Sequence, residues 1–441
     1  MIVSHSVRVL ILSALGLAAL SLPTHAAKLS PLATPPDWAA LDAYQKTISR
    51  QEFTRLIDNV YSPDGGFWSY ATIDDSQVRI FSDTAKTQPV FTLHFADSEA
   101  DCAPLPYHYK TQGVSKDPSR PLEGIRIALD PGHIGGDWAQ LEARYFKLGD
   151  DPPVEEAKLN MMTCDLLAER LRADGADVVW AKHGYEPVTS LRPDTLHREA
   201  IAALLGSGGA HASEDSPTTV FGLRLPRFGF HSDHAPSQSK IDNEAALLFY
   251  RVAEIRARGE VVNKLHPDLT ICVHYNADDW GDPNNPTLTG NSRLIIFTNG
   301  AYERRAELPY DDYKYDLLRK LLDRTAVQEE RGCALVGQSM LDTLGYPPEV
   351  YNHVPAISDS PFVHHVTNVP SVYARDLLAN RVYHGPVIYC EGPYMNASDA
   401  YYRIIAGDYL GTRTIRGQTV PSIYRQYATA VEQGVLKYFS H

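Results

Sequence analysis

Ile125-Arg-Ile-Ala-Leu-Asp-Pro-Gly-His133 is an apolar run of β type that stops at a Pro-Gly turn and delivers a histidine. Two later runs have the same form. Leu269-Thr-Ile-Cys-Val-His274 ends in a second histidine, and Val387-Ile-Tyr-Cys-Glu391 ends in a glutamate followed by Gly392-Pro393. If the three are parallel strands of one sheet, their C-terminal ends lie along one edge, where open α/β sheets hold their ligands. Two imidazoles and a carboxylate converging there point to a metal site.

Working outward from His133, residues 134–153 carry Gly135-Gly136 and Trp138 without any period and read as a loop over the sheet edge. Glu155-Glu156 then opens a helix whose apolar positions Leu159, Met162, Leu166, Leu167 and Leu171 recur at helical spacing until Gly175. Asp177-Val-Val-Trp-Ala-Lys182 is the next strand. A right-handed crossover in this β-loop-α-β unit brings the start of the helix near the end of the first strand. Glu156 and His133 can therefore be neighbours. An acidic pair in a first helical turn also has an ordinary explanation in dipole compensation, so it gains meaning only from its company. Further on, residues 291–298 read as a strand, 311–330 as a helix ended by Gly332, and 422–439 as a last helix, whereas 335–380 show no clear pattern. The fold class expected is α/β: an open, mostly parallel sheet flanked by helices over residues 121–441, preceded by a small α+β domain.

Residues 1–27 read as a secretory signal: Arg8 is the positive start, Val9 to Leu22 the apolar core, and Thr24-His25-Ala26 a small-residue cleavage site. The apolar run is shorter than the ~20 residues that span a membrane, and no other segment is apolar enough, so the mature chain is expected to be soluble and exported, to a periplasm or beyond. A Pro- and Ala-rich linker follows to about residue 40. Ser49-Arg-Gln-Glu52 is a capping-box pattern that opens a helix over about 48–60, and alternating runs at 68–73, 78–82 and 90–95 predict a short antiparallel sheet. This module, 28–120, contains no catalytic constellation and reads as a packing or targeting unit. The chain's net charge of -13 argues against nucleic acid and anionic membrane surfaces as partners. Its five cysteines, Cys102, Cys164, Cys272, Cys333 and Cys390, form no CxxC pair. Buried free thiols are the expectation for Cys272 and Cys390 inside core strands.

Four fragments in sequence order resemble the zinc-dependent N-acetylmuramoyl-L-alanine amidases of type 3. They are Asp130-Pro-Gly-His133, Glu156-Ala-Lys-Leu-Asn160, Ile271-Cys-Val-His-Tyr-Asn276 and Glu391-Gly-Pro-Tyr-Met-Asn396, and Arg258 with Asn263 matches a further pair of that family. The resemblance spans about residues 124–441. It implies a Zn2+ ion held by His133, Glu156 and His274, with Glu391 as the catalytic carboxylate and peptidoglycan as substrate. Glu155 replaces Glu156 if the helix register shifts by one. Two N-type ligands and one O-type ligand suit a catalytic zinc, which keeps a fourth position open. Arg375, after the run Val372-Tyr-Ala, is a candidate for steadying an oxyanion or a substrate carboxylate, and equally a candidate for a surface ion pair.

The chain departs from that family in places. Ile134 stands directly after the first histidine, where the family has glycine, and an insertion rich in Gly, Ser, Pro and His occupies about 192–240. A second long polar loop covers 278–291. Long loops at a sheet edge are often functional, and these two would wall a substrate groove or form a lid. His231 and His234 in the insertion, and His364-His365, read as chance histidines. The alternatives to a cell-wall amidase are a zinc peptidase or other amidohydrolase on the same scaffold, and a non-catalytic wall-binding protein. Whether a protein partner activates the site is not written in the sequence.

Overall fold

The three motif strands lie side by side. In the computed structural model, which describes residues 27–114, 117–206, 236–303, 306–350 and 363–440, Arg126–Pro131, Leu269–Tyr275 and Val387–Gly392 are adjacent and parallel. The expected signal sequence and the middle of the insertion, with His231 and His234, lie outside the described residues. The full sheet runs His364–His365, Val372–Ala374, Ile295–Thr298, Val387–Gly392, Leu269–Tyr275, Arg126–Pro131, Asp177–Trp180. It is mostly parallel. Antiparallel pairing enters where Val387–Gly392 meets Ile295–Thr298 and where the two-residue edge strand His364–His365 meets Val372–Ala374.

Both faces of the sheet are covered, which is why its strands read as continuous apolar runs rather than alternating ones. On one face Glu156–Ala173, Thr325–Leu344 and Ile423–Phe439 bury Leu167, Leu171, Val336, Met340, Val431 and Val435 against Ile127, Leu129, Ile271 and Ile388. On the other, Val262 from Glu254–Leu265 and Ala379 from Leu378–Val382 pack with Tyr383 on Ala128 and Cys272. All five cysteines are free, four of them buried.

The expected helix over 311–330 is two helices, Asp311–Leu322 and Thr325–Leu344, broken at Arg324, whose backbone is left-handed at φ 58°. Gly332 does not end the second one. A Cβ there would lie 2.9 Å from Ile388 Cδ1, so this glycine serves close approach of helix to sheet, and Gly345 is the residue that closes the helix.

In the N-terminal module, Ser49 Oγ accepts from Glu52 N and caps Arg50–Leu56, and Ala71–Ile73, Gln77–Phe81 and Pro89–His94 form the antiparallel sheet. Its apolar face is shared. Phe53, Leu56, Ile57, Ile80 and Leu93 pack in one cluster with Leu317, Leu318, Leu321 and Leu322 of Asp311–Leu322. Burial of each leucine is worth about 1.5–3 kcal/mol. Ser30 Oγ adds a bond to Asp312 Oδ2 at 2.6 Å, across 282 positions of sequence.

Ile134 finds its reason in the insertion. Fully buried, it packs with Leu196, Ala200, Ile241, Leu248 and Phe249. These come from the first part of the insertion, Pro193–Leu196 and His197–Gly206, and from Gln238–Leu247 at its end with its continuation Leu248–Ala253. A glycine at this position could not anchor them.

Candidate metal centre

The turn that carries the first histidine is clamped from beneath. Arg258, buried, donates to Asp130 Oδ1 at 2.9 Å, to the Pro131 carbonyl at 3.2 Å and to the His133 carbonyl at 2.9 Å, while its Nε donates to Glu254 at 2.8 Å. Tyr383 donates to the other Asp130 oxygen at 2.6 Å. This fixes a strained backbone, for His133 sits at φ 62°, a left-handed conformation that costs a non-glycine residue about 1–2 kcal/mol. Gly132 is required for another reason. A Cβ on it would lie 2.1 Å from His274 Cε1, so only glycine lets the second imidazole lie over the turn.

The helix between the parallel strands Arg126–Pro131 and Asp177–Trp180 brings a carboxylate to this turn. Glu156 opens the helix Glu156–Ala173, with Oε2 at 3.0 Å from His133 Nε2 and Oε1 at 3.0 Å from His274 Nδ1. The two imidazoles stand edge to face, centroids 5.1 Å apart. One ligand atom from each of the three residues lies within 4.8 Å of the others, and among the described residues this is the group of its kind that could hold a metal ion. Asn160, one turn along, donates to the Gly132 carbonyl at 3.0 Å and ties the helix to the turn. Glu155 points elsewhere, into an ion pair with Lys158 at 2.7 Å.

Glu391 stands directly opposite His274 in the register of the two parallel strands. Tyr389, two residues before it, stacks on His274 at 4.6 Å. From the helix Ile423–Phe439, the Tyr427 hydroxyl sits between the carbonyls of His274 and Cys390, at 3.1 and 3.2 Å. A Cβ on Gly392 would collide with that tyrosine ring at 2.3 Å, which explains the glycine after Glu391. Asn396 ties the following loops, accepting from Asp278 N at 3.0 Å and donating to Asp278 O at 3.0 Å. Both polar edges of the site are thus fastened to each other.

Charge in the site is divided unequally. Burial alone would raise both carboxyls. For Glu156 that effect is outweighed by His133, His274 and Arg144, which hold it well below the usual range. For Glu391 burial and the neighbouring Glu156 push the pKa up to about 8. Burial lowers His274, whereas for His133 it is outweighed by Glu156 and Glu142, which raise it. The surroundings thus push the two carboxyls of the site in opposite directions.

Two residues escaped the sequence reading because they lie in the aperiodic loop after His133. Glu142, buried, takes the backbone N–H of Ile134 and Gly135 at 3.0 and 3.1 Å and faces His133 Nδ1 at 3.4 Å. Arg144 brings its Nε to 2.9 Å from Glu156 Oε2 and 3.2 Å from His133 Nε2. Arg375 lies farther off, two strands from Glu391 in the sheet. Its N–H donates to the Thr298 carbonyl and its guanidinium stands over the Phe297 ring, yet its charge still lowers Glu391. His364 and His365 each meet a backbone carbonyl, of Asn59 at 2.9 Å and of Val372 at 3.1 Å.

The donor set of two nitrogens and a carboxylate, on rigid elements and close enough to share one ion, fits zinc. No family model and no curated protein matches the chain. Among solved structures it is similar to the apo form of an N-acetylmuramyl-L-alanine amidase from Mycobacterium abscessus, with TM-score 0.36 and 14% identity over 72% of this chain and 100% of that one. It is also similar to the CwlD amidase of Clostridioides difficile, solved in complex with the GerS lipoprotein, with TM-score 0.37 and 11% identity over 72% and 99%. A third is an N-acetylmuramoyl-L-alanine amidase of Nostoc punctiforme, with TM-score 0.34 and 12% identity over 72% and 99%.

Proposed function

We propose that this chain is an exported zinc amidase of the type 3 kind, which hydrolyses the amide between N-acetylmuramic acid and L-alanine in peptidoglycan. In this reading residues 1–27 are the export signal, 28–120 the N-terminal module and 121–441 the catalytic part. Among the described residues no helix is long and apolar enough to cross a membrane. The observation that carries the proposal is the convergence of His133, Glu156 and His274 beside Glu391. All four come from motifs that appear in the family's order.

His133, Glu156 and His274 would hold the ion through Nε2, a carboxylate oxygen and Nδ1. Zinc, when bound, supplies Lewis acidity that polarises the scissile carbonyl. Glu391 then takes a proton from the attacking water and returns it to the leaving amine, general acid-base work for a carboxyl with a raised pKa. Tyr389 and Tyr427 keep His274 and Glu391 in register while this happens. Arg375 biases Glu391 toward its charged form from outside the strand pair.

The deciding experiment is release of peptide from purified peptidoglycan by the mature protein, with a chelator and then with zinc restored. Chelator-sensitive release of peptides bearing a free L-alanine amine, with glycan strands left intact, is the expected result. Zinc binding without any such release would overturn the substrate assignment and leave the metal centre standing.

A further inference from the structure

We propose that Glu142 is a positioning residue that fixes which nitrogen of His133 faces the metal. The proposal rests on the metal-centre reading above. A neutral imidazole has one N–H and one lone pair, and the partner of one nitrogen decides the role of the other. His133 turns Nε2 into the cluster, 3.0 Å from Glu156, and leaves Nδ1 facing Glu142 Oε1 at 3.4 Å. A carboxylate there favours the tautomer that keeps the proton on Nδ1 and leaves the Nε2 lone pair free for an ion.

Glu142 is held for this task. Its side chain is 2% exposed, and its oxygens accept the N–H groups of Ile134 and Gly135, so the carboxylate cannot turn away to solvent. Arg258 holds the His133 carbonyl on the other side of the same turn. The strained residue is thus gripped by an arginine before the peptide and a glutamate after it. None of the four motifs contains Glu142; it belongs to the loop in which Ile134 replaces glycine.

The test uses the full mature chain and needs no peptidoglycan. Zinc affinity is measured by competition with a chromogenic chelator for the wild type and for Glu142→Gln, which keeps the shape and an acceptor oxygen but loses the charge. The imidazole nitrogens of His133 are then read by 15N NMR in the zinc-loaded wild type. The expected results are a proton on Nδ1 in the wild type and an affinity about 10–100-fold weaker in the variant, with its metal-free unfolding temperature little changed. Equal zinc affinity in a folded Glu142→Gln overturns the proposal. So does a proton on Nε2 in the wild-type spectrum, which decides the matter even if the variant fails to fold. A wild type that binds no zinc overturns the metal centre together with this proposal, whereas binding without peptidoglycan cleavage leaves both intact.

Discussion

Gly132 and His274 are in contact at a distance no side chain could share: the position of a Cβ on Gly132 is 2.1 Å from Cε1 of the imidazole. Gly132→Ala must therefore push the second histidine out of the cluster. We expect zinc affinity to fall at least about tenfold, on the scale of losing a well-placed ligand orientation, while circular dichroism still reports the folded protein. Unchanged zinc affinity in that variant would show that His274 does not need this seat.

Glu391→Gln should separate binding from turnover. The amide keeps the shape beside His274 but cannot take a proton, so hydrolysis should drop by about 10²–10⁴-fold. Zinc stoichiometry, measured on the same sample, should remain one per chain. Residual activity close to wild type would remove Glu391 from the chemistry.

The metal-free protein should show a pH signature from the same residue. Glu391 is raised from 4.5 to about 8, so between these values the folded chain holds a proton that the unfolded chain has released. Its contribution to stability is complete below the lower value and is lost as pH rises to the upper one. Urea midpoints taken from about pH 5 to about pH 8 should fall more steeply for the wild type than for Glu391→Gln. Glu303, also raised to about 8 by burial and Asp376, contributes to both proteins and cancels in the comparison. Parallel curves would show that Glu391 titrates in its ordinary range.

Arg144 and a dication would want the same two atoms, Glu156 Oε2 and His133 Nε2. Replacing Arg144 by alanine removes a competing positive charge at 2.9 Å, and zinc should bind several-fold more tightly, most visibly at low ionic strength where screening is weak. A weaker affinity in Arg144→Ala, measured by chelator competition, would mean that the guanidinium supports the metal instead.

Much of this site could be seen in the chain itself because strand ends are punctuated. Asp-Pro-Gly-His, the His274 run and the Glu391 run are each a buried strand followed by a break, and parallel pairing then places their ends together without further information. Glu155 and Glu156 differ by one step of helix register, and spacing only suggests that Glu156 is the one 3.0 Å from both imidazoles while Glu155 pairs with Lys158. Glu142 and Arg144 were invisible for a physical reason: a loop has no period, so an acid and a base within it look like any solvated pair. Gly332 misled because a glycine that stops a helix and one that lets a helix approach a sheet have the same letter. The antiparallel entry of Ile295–Thr298 into a parallel sheet likewise leaves no mark on an apolar run four residues long.

The apolar face shared between the N-terminal module and Asp311–Leu322 governs how the molecule can be made and divided. A chain begun at residue 121 would set Leu317, Leu318, Leu321 and Leu322 against water, and it would sooner aggregate than act. Nor can the first hundred residues finish folding as they are synthesised, since Ser30 must wait for Asp312, 282 positions later. Contacts of such long range slow folding and keep apolar surface open meanwhile. The part that carries the motifs is therefore not separable by truncation from the N-terminal module packed on it.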